Sequence, residues 1–128
     1  MEAAKRPREL AASFLKGDEV PNAKGEVLGS VQEIMIDLER GRVAYVVLSF
    51  DRVNWMPNNQ LFAVPWEVLS ISPPDKKFTL NVSDETLKSA LGFDRDKWPD
   101  VMDFGWLAKE FPVPTDVPHT DGRDPYWR

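Results

Sequence analysis

The stretch Val31-Gln-Glu-Ile-Met-Ile-Asp-Leu-Glu-Arg-Gly-Arg-Val-Ala-Tyr-Val-Val-Leu-Ser-Phe50 decides the fold. Two β-rich runs, Val31–Leu38 and Arg42–Phe50, flank Glu39-Arg40-Gly41. This spacing predicts an antiparallel hairpin in which Gly41 takes the positive φ that such loops demand. Side chains alternate across a strand with period two. The first strand therefore places Ile34, Ile36 and Leu38 on one face, and Glu33 and Asp37 on the other with Val31 and Met35, which reads as half-buried. In the second strand Ala44, Val46, Leu48 and Phe50 share one face, yet Val43, Tyr45 and Val47 opposite them are also apolar. A strand apolar on both sides needs a second cover. Either the C-terminal tail of the chain or another subunit must supply it.

Before the hairpin, Asn22-Ala-Lys-Gly25 reads as a turn into a β-rich run from Glu26, and Gly25 and Gly29 suit a tight turn and a close strand crossing or bulge. After it, Asp51 to Gln60 is a polar loop carrying Trp55 and Met56. Leu61–Pro65 and Trp66–Ile71 read as short strands, or one strand bent at Pro65, with Trp66 in the core. Ser72 to Lys77 is a turn by composition, and Phe78, Leu80 and Val82 alternate as a last strand. The expectation is mostly β, with about six short strands in residues 14–82 forming a small barrel or sandwich.

Ser83 to Gly92 changes to a helical pattern, with Ser83 as cap, Asp84 and Glu85 in the first turn, Gly92 at the end and Leu87/Leu91 as an i,i+4 apolar pair. So short a helix must dock to be stable. Beyond it Phe93, Trp98, Phe104, Trp106, Leu107 and Phe111 are spaced through an acidic, irregular segment, and read as anchors that tie residues 83–111 to the barrel or to a neighbouring subunit. Residues 112–128 hold four of the 11 prolines and read as an extended segment, while residues 1–13 read as a flexible arm.

Composition limits the function classes. The net charge is −5, divided as +1 over residues 1–13, −2 over 14–82 and −4 over 83–128. Nucleic-acid binders concentrate basic charge to neutralise phosphates, whereas here only Lys5-Arg6-Pro7-Arg8 is basic, so direct nucleic-acid binding is not expected. No run approaches the roughly 18 to 20 apolar residues of a membrane helix, and the N-terminus carries no apolar segment of a secretory signal. A cytoplasmic location is the expectation. There is no cysteine, hence no disulfide, thiolate metal site or cysteine nucleophile.

Candidate chemistry is sparse. The single histidine, His119, sits in the proline-rich tail without companion ligands or a rigid frame. Asp94, Asp96, Asp100 and Asp103 lack the alternating ligands, central glycine and closing glutamate of a calcium loop and read as caps and solvated charges. No phosphate-binding glycine loop, nucleophile elbow or paired-histidine motif occurs. Neither a cofactor, a metal nor an enzymatic activity is expected. The aromatic residues carry more information. Trp98 and Trp106 read as tail anchors, whereas Trp55, beside Met56 in a polar loop, is a candidate hot spot for a partner protein.

Gly25-Glu-Val-Leu-Gly29, Ile36 to Phe50 and Leu61-Phe-Ala-Val-Pro-Trp66 together resemble the PRC-barrel domain, the photosynthetic reaction centre barrel family. Gly92-Phe-Asp-Arg-Asp-Lys-Trp-Pro-Asp100 is similar to the tail that follows the barrel in stand-alone bacterial and archaeal members. The resemblance implies a strongly bent six-stranded β-barrel with a short C-terminal helix and an aromatic-rich tail. It also implies action by docking. In the family the barrel serves as the cytoplasmic part of a reaction-centre subunit packed on membrane partners, and as half of a ribosome-maturation factor that binds a ribosomal protein. The resulting expectation is a non-catalytic interaction module acting as a homo-oligomer, with Tyr45, Val47, Trp55, Met56, Trp98 and Trp106 facing the partner. The alternatives are an accessory factor binding a ribosomal protein, or an accessory subunit of a membrane electron-transfer complex.

Overall fold

A computed structural model describes residues 9–57, 59–72 and 77–115. Its centre is the expected hairpin, formed by β2 (Val27–Asp37) and β3 (Arg42–Leu48). Gly41 has φ 66°, and its N–H donates to the Asp37 carbonyl at 2.8 Å. Asp37 Oδ1 accepts from the backbone N–H of Glu39 and Arg40 at 3.1 and 3.2 Å, so the turn is closed by one aspartate and one glycine. Burial of the Asp37 carboxyl opposes its ionisation, but those two amides and the Arg40 guanidinium outweigh it and hold the group below its usual pKa.

This turn corrects the expected faces of the first strand. Asp37 is buried, while Ile36 and Leu38 are 52% and 84% exposed. Past Met35↔Tyr45 neither β1 nor β4 flanks the hairpin, so Ile36 and Leu38 stand beyond the core while Asp37 folds over the turn. Within β2 the alternation breaks earlier, at Gln32, an extra residue between Val31↔Leu48 and Glu33↔Val47 that brings Val31 and Ile34 to the same core.

Antiparallel pairing extends from the hairpin on both sides. β1 (Glu19–Pro21) pairs with β2, β4 (Gln60–Pro65) pairs with β3, and β7 (Phe93–Asp94) pairs with β4, giving the order β1-β2-β3-β4-β7. β5 (Ser70–Ser72) and β6 (Lys77–Thr79) form a separate two-stranded sheet. Among the described residues the strands therefore number seven, in two sheets, and the ladders do not close into the expected six-stranded ring. Pro65 is the physical break. It ends β4, and Trp66–Val68 form a 3₁₀ turn rather than a strand, leaving Trp66 half-buried with its ring at 90° to that of Phe78. The two sheets meet where β1 lies against β6 and the Leu80 N–H donates to the Pro21 carbonyl at 3.0 Å.

Gly29 makes this geometry possible. A Cβ there would lie 1.8 Å from the Ser49 carbonyl oxygen, so β2 crosses the end of β3 at a separation that only glycine permits. The main core fills the space between the sheets with Val31, Val46, Leu48, Phe50, Phe62 and Val64 against Phe78, Leu80 and Leu87. Two short helices close its ends. α1 (Ala12–Leu15) inserts Leu15, placing order inside the segment expected to be a flexible arm, and α2 (Asp84–Lys88) inserts Leu87. Ser83 caps α2 as expected, accepting from the Thr86 N–H at 3.2 Å. The helix ends four residues earlier than the sequence pattern suggested, so Leu91 is 55% exposed instead of paired with Leu87. Gly92 serves a close approach, since a Cβ there would meet Gln60 and the Phe62 ring within 3 Å.

Candidate interaction surface

The doubly apolar strand β3 receives its second cover from its own chain. Tyr45 and Val47 on β3, with Leu61 and Ala63 on β4, form a second buried cluster whose lid is Met102 and Phe104, flanked by half-buried Phe93 and Trp98. The Tyr45 and Phe104 rings meet edge to face at 5.8 Å. Burial pushes the Tyr45 hydroxyl up to about 12, so it stays protonated and neutral across the physiological range.

The segment carrying this lid, residues 93–113, is a strap fastened at three places. β7 pairs with β4, and Phe93 packs on Trp98 at 4.9 Å, with Trp98 Nε1 donating to the Arg95 carbonyl. A second 3₁₀ turn, Gly105–Leu107, drives Trp106 and Leu107 into the main core, where Trp106 stands edge-on to Phe50 and Phe62. Glu110 then returns to α2, accepting from the Ser83 N–H at 2.8 Å and from Ser83 Oγ at 2.7 Å. Hydrogen bonds from Thr86 and Ser83 hold the Glu110 carboxyl below its usual pKa.

The six residues expected to face a partner thus occupy different places. Tyr45, Val47, Met56 and Trp106 are buried within the single chain, and Trp98, itself on the strap, is half-buried. Tyr45 and Val47 were expected at an intersubunit contact, but the strap already fills that position. Trp55 is the exception, at 49% exposed. The part of its loop from Arg52 to Met56 is tied to its neighbours. Met56 is buried beside it, the Arg52 N–H donates to the Leu28 carbonyl, and the Arg52 guanidinium pairs with Glu19 at 3.0 Å. The loop's turns are closed by Val53 N–H to the Phe50 carbonyl and Met56 N–H to the Val53 carbonyl. A half-exposed indole on such a loop reaches a partner with little entropy left to lose.

Two further exposed apolar groups, Ile36 and Leu38, stand at the opposite end of β3. Sequence alternation missed them because it carried the inner face past the ends of the strands that flank the hairpin. The signal that would have found them is Asp37, a residue suited to capping the turn that follows it. A shallow cleft of about 470 Å³ lies between residues 101–105 of the strap and residues 113–115 that follow its end.

Among the described residues no group of three or more His, Asp or Glu side chains could hold a metal ion. Asp94 and Asp103 cap local turns, accepting from the backbone of Asp96 and Gly105. His119, the Lys5–Arg8 cluster and most of the proline-rich segment lie outside the described residues. No described helix is long and apolar enough to cross a membrane.

No curated protein matches the chain in sequence. A family model described as the PRC-barrel domain matches residues 7–87 and ends within α2, so the strap over Tyr45 and Val47 lies beyond the matched module. With more than half of its 128 residues matched, and with the β-rich architecture described above, the chain belongs to the PRC-barrel domain family.

Proposed function

We propose that this protein is a non-catalytic interaction module that self-associates and docks a partner protein through Trp55. The observation that carries this reading is the half exposure of Trp55 on a loop pinned by Met56, Arg52 and Glu19. Family membership supports it, because PRC-barrel domains often mediate protein interactions. Tryptophan is enriched among residues that dominate binding energy, and its value is greatest where the supporting frame is already ordered.

The test is affinity capture from the native host with wild-type and Trp55→Ala proteins side by side. Proteins retained by the wild type and lost with the variant support the reading. Identical retained sets would overturn it.

A second reading, an accessory factor that binds a ribosomal protein, draws on the acidic balance of the chain. A net charge of −5 suits a basic protein better than RNA. Co-sedimentation with ribosomal subunits at low salt, released at high salt, is the expected result, and absence at low salt rejects this reading.

A further inference from the structure

We propose that Glu110 completes the N-terminal cap of α2 from the far end of the strap, so that α2 and the end of the strap open and close as one unit.

The local sequence leaves that cap half made. In a capping box the N-cap hydroxyl accepts from the backbone N–H three residues on, and a glutamate or glutamine at that third position reaches back to the N–H of the cap residue. Ser83 performs the first half, its Oγ accepting from the Thr86 N–H at 3.2 Å. Thr86 stands where the returning glutamate belongs, and its side chain is too short for the task. Glu110 makes the return bond instead, from 27 residues further along the chain. Its Oε1 accepts from the Ser83 N–H at 2.8 Å and from the Ser83 hydroxyl at 2.7 Å. The hydroxyl gives its one proton to Glu110 and keeps a lone pair for the Thr86 N–H, so one side chain serves the helix and the strap together.

Packing joins the same two elements. Leu87 of α2 and Trp106 and Leu107 of the second 3₁₀ turn are buried in one cluster, and the helix lies against that turn. The turn leads directly to the latch, with the Glu110 and Phe111 N–H groups both donating to the Leu107 carbonyl at 3.0 Å. It also leads back to the lid, because the Leu107 N–H donates to the carbonyl of Phe104, whose ring packs on Tyr45. A five-residue helix is too short to be stable alone, and a three-residue 3₁₀ turn is shorter still, so each is ordered by the other. The matched family module ends inside α2. The Ser83–Glu110 latch is therefore a fastening between that module and the strap beyond it, and it helps to set how firmly the second face of β3 stays covered.

Native-state hydrogen exchange on the full chain, as wild type, Ser83→Ala, Glu110→Ala and Glu110→Gln, tests this coupling. The probes are the amides of Leu87 and Ala90 on α2, Leu107 and Phe111 on the strap, and Val46 in the central hairpin. In the wild type the α2 and strap amides should share one opening equilibrium, reached more readily than that of Val46. Ser83→Ala, made on the helix, should speed exchange on the strap as much as on the helix, and Glu110→Ala, made on the strap, should do the same in return, each by about fivefold. Glu110→Gln should stay within about twofold of wild type, because glutamine also serves in a capping box. Both residues are exposed, so none of these changes disturbs the core. Acceleration confined to the altered element, separate openings of α2 and strap in the wild type, a single opening shared with Val46, or a glutamine variant as fast as the alanine variant would each overturn the proposal.

Discussion

Replacing Phe104 by alanine should destabilise the protein by about 3 kcal/mol, although Phe104 lies outside the matched family module. Phe104 is 4% exposed, and its ring packs edge-on against Tyr45 at 5.8 Å over Val47, Leu61 and Ala63. Truncating a buried phenylalanine costs about 3–5 kcal/mol, of which an aromatic pair contributes about 0.5–1.5. The lower end applies because one wall of the cavity is an irregular strap able to settle inward, and the size of the cost follows how well a site collapses. Val101→Ala is the control. At 43% exposed and three residues away, it should cost no more than about 0.5 kcal/mol. Equilibrium urea unfolding followed by tryptophan fluorescence reads both. With a slope of about 1–3 kcal/mol per molar urea, the Phe104→Ala midpoint should fall by about 1–3 M. A loss below about 1 kcal/mol, or one equal to that of Val101→Ala, would refute the claim that the strap is the second cover of β3.

Three other outcomes follow from the same geometry. Gly29→Ala forces a Cβ to within 1.8 Å of the Ser49 carbonyl, and the resulting separation of β2 from the end of β3 should cost about 3 kcal/mol in the same urea assay. Acid should loosen the fold in a specific way. The carboxyls of Asp37 and Glu110 have depressed pKa values when folded, so their stabilisation is complete above the ordinary carboxylate range near pH 4 and is lost as pH falls through the folded values. Thermal midpoints across an acid series should therefore decline below that range, and Glu110→Gln should decline less steeply. Trp55→Ala should leave the unfolding free energy from the urea assay within about 0.5 kcal/mol of wild type, because the indole is half in water while Met56 is buried beside it.

Much of this fold was legible because a few residues act locally. Gly41, Gly25 and Ser83 fix turns and a cap within a few residues of themselves, so the sequence pattern located the hairpin, the β1–β2 turn and the start of α2. The need for a second cover over Tyr45 and Val47 was equally plain. What covers them stood open between the tail and a second subunit: Phe104 was among the expected anchors and Met102 was not, and contact with β3 depends on how far the chain travels after α2. Ile36, Leu38 and Leu91 were misplaced for one shared reason. Each continues an apolar spacing past the point where its packing partners end, beyond the strands that flank the hairpin or beyond the end of α2. Trp55, by contrast, was singled out directly by its position in a polar loop.

The central claim is that this PRC-barrel protein works through contact, beginning with contact to itself. Light scattering coupled to size exclusion, run on the full chain across the micromolar range, tests it most directly. The expected mass is above that of the 14.6 kDa single chain and falls toward it on dilution. A sharp, concentration-independent monomer throughout that range would contradict it.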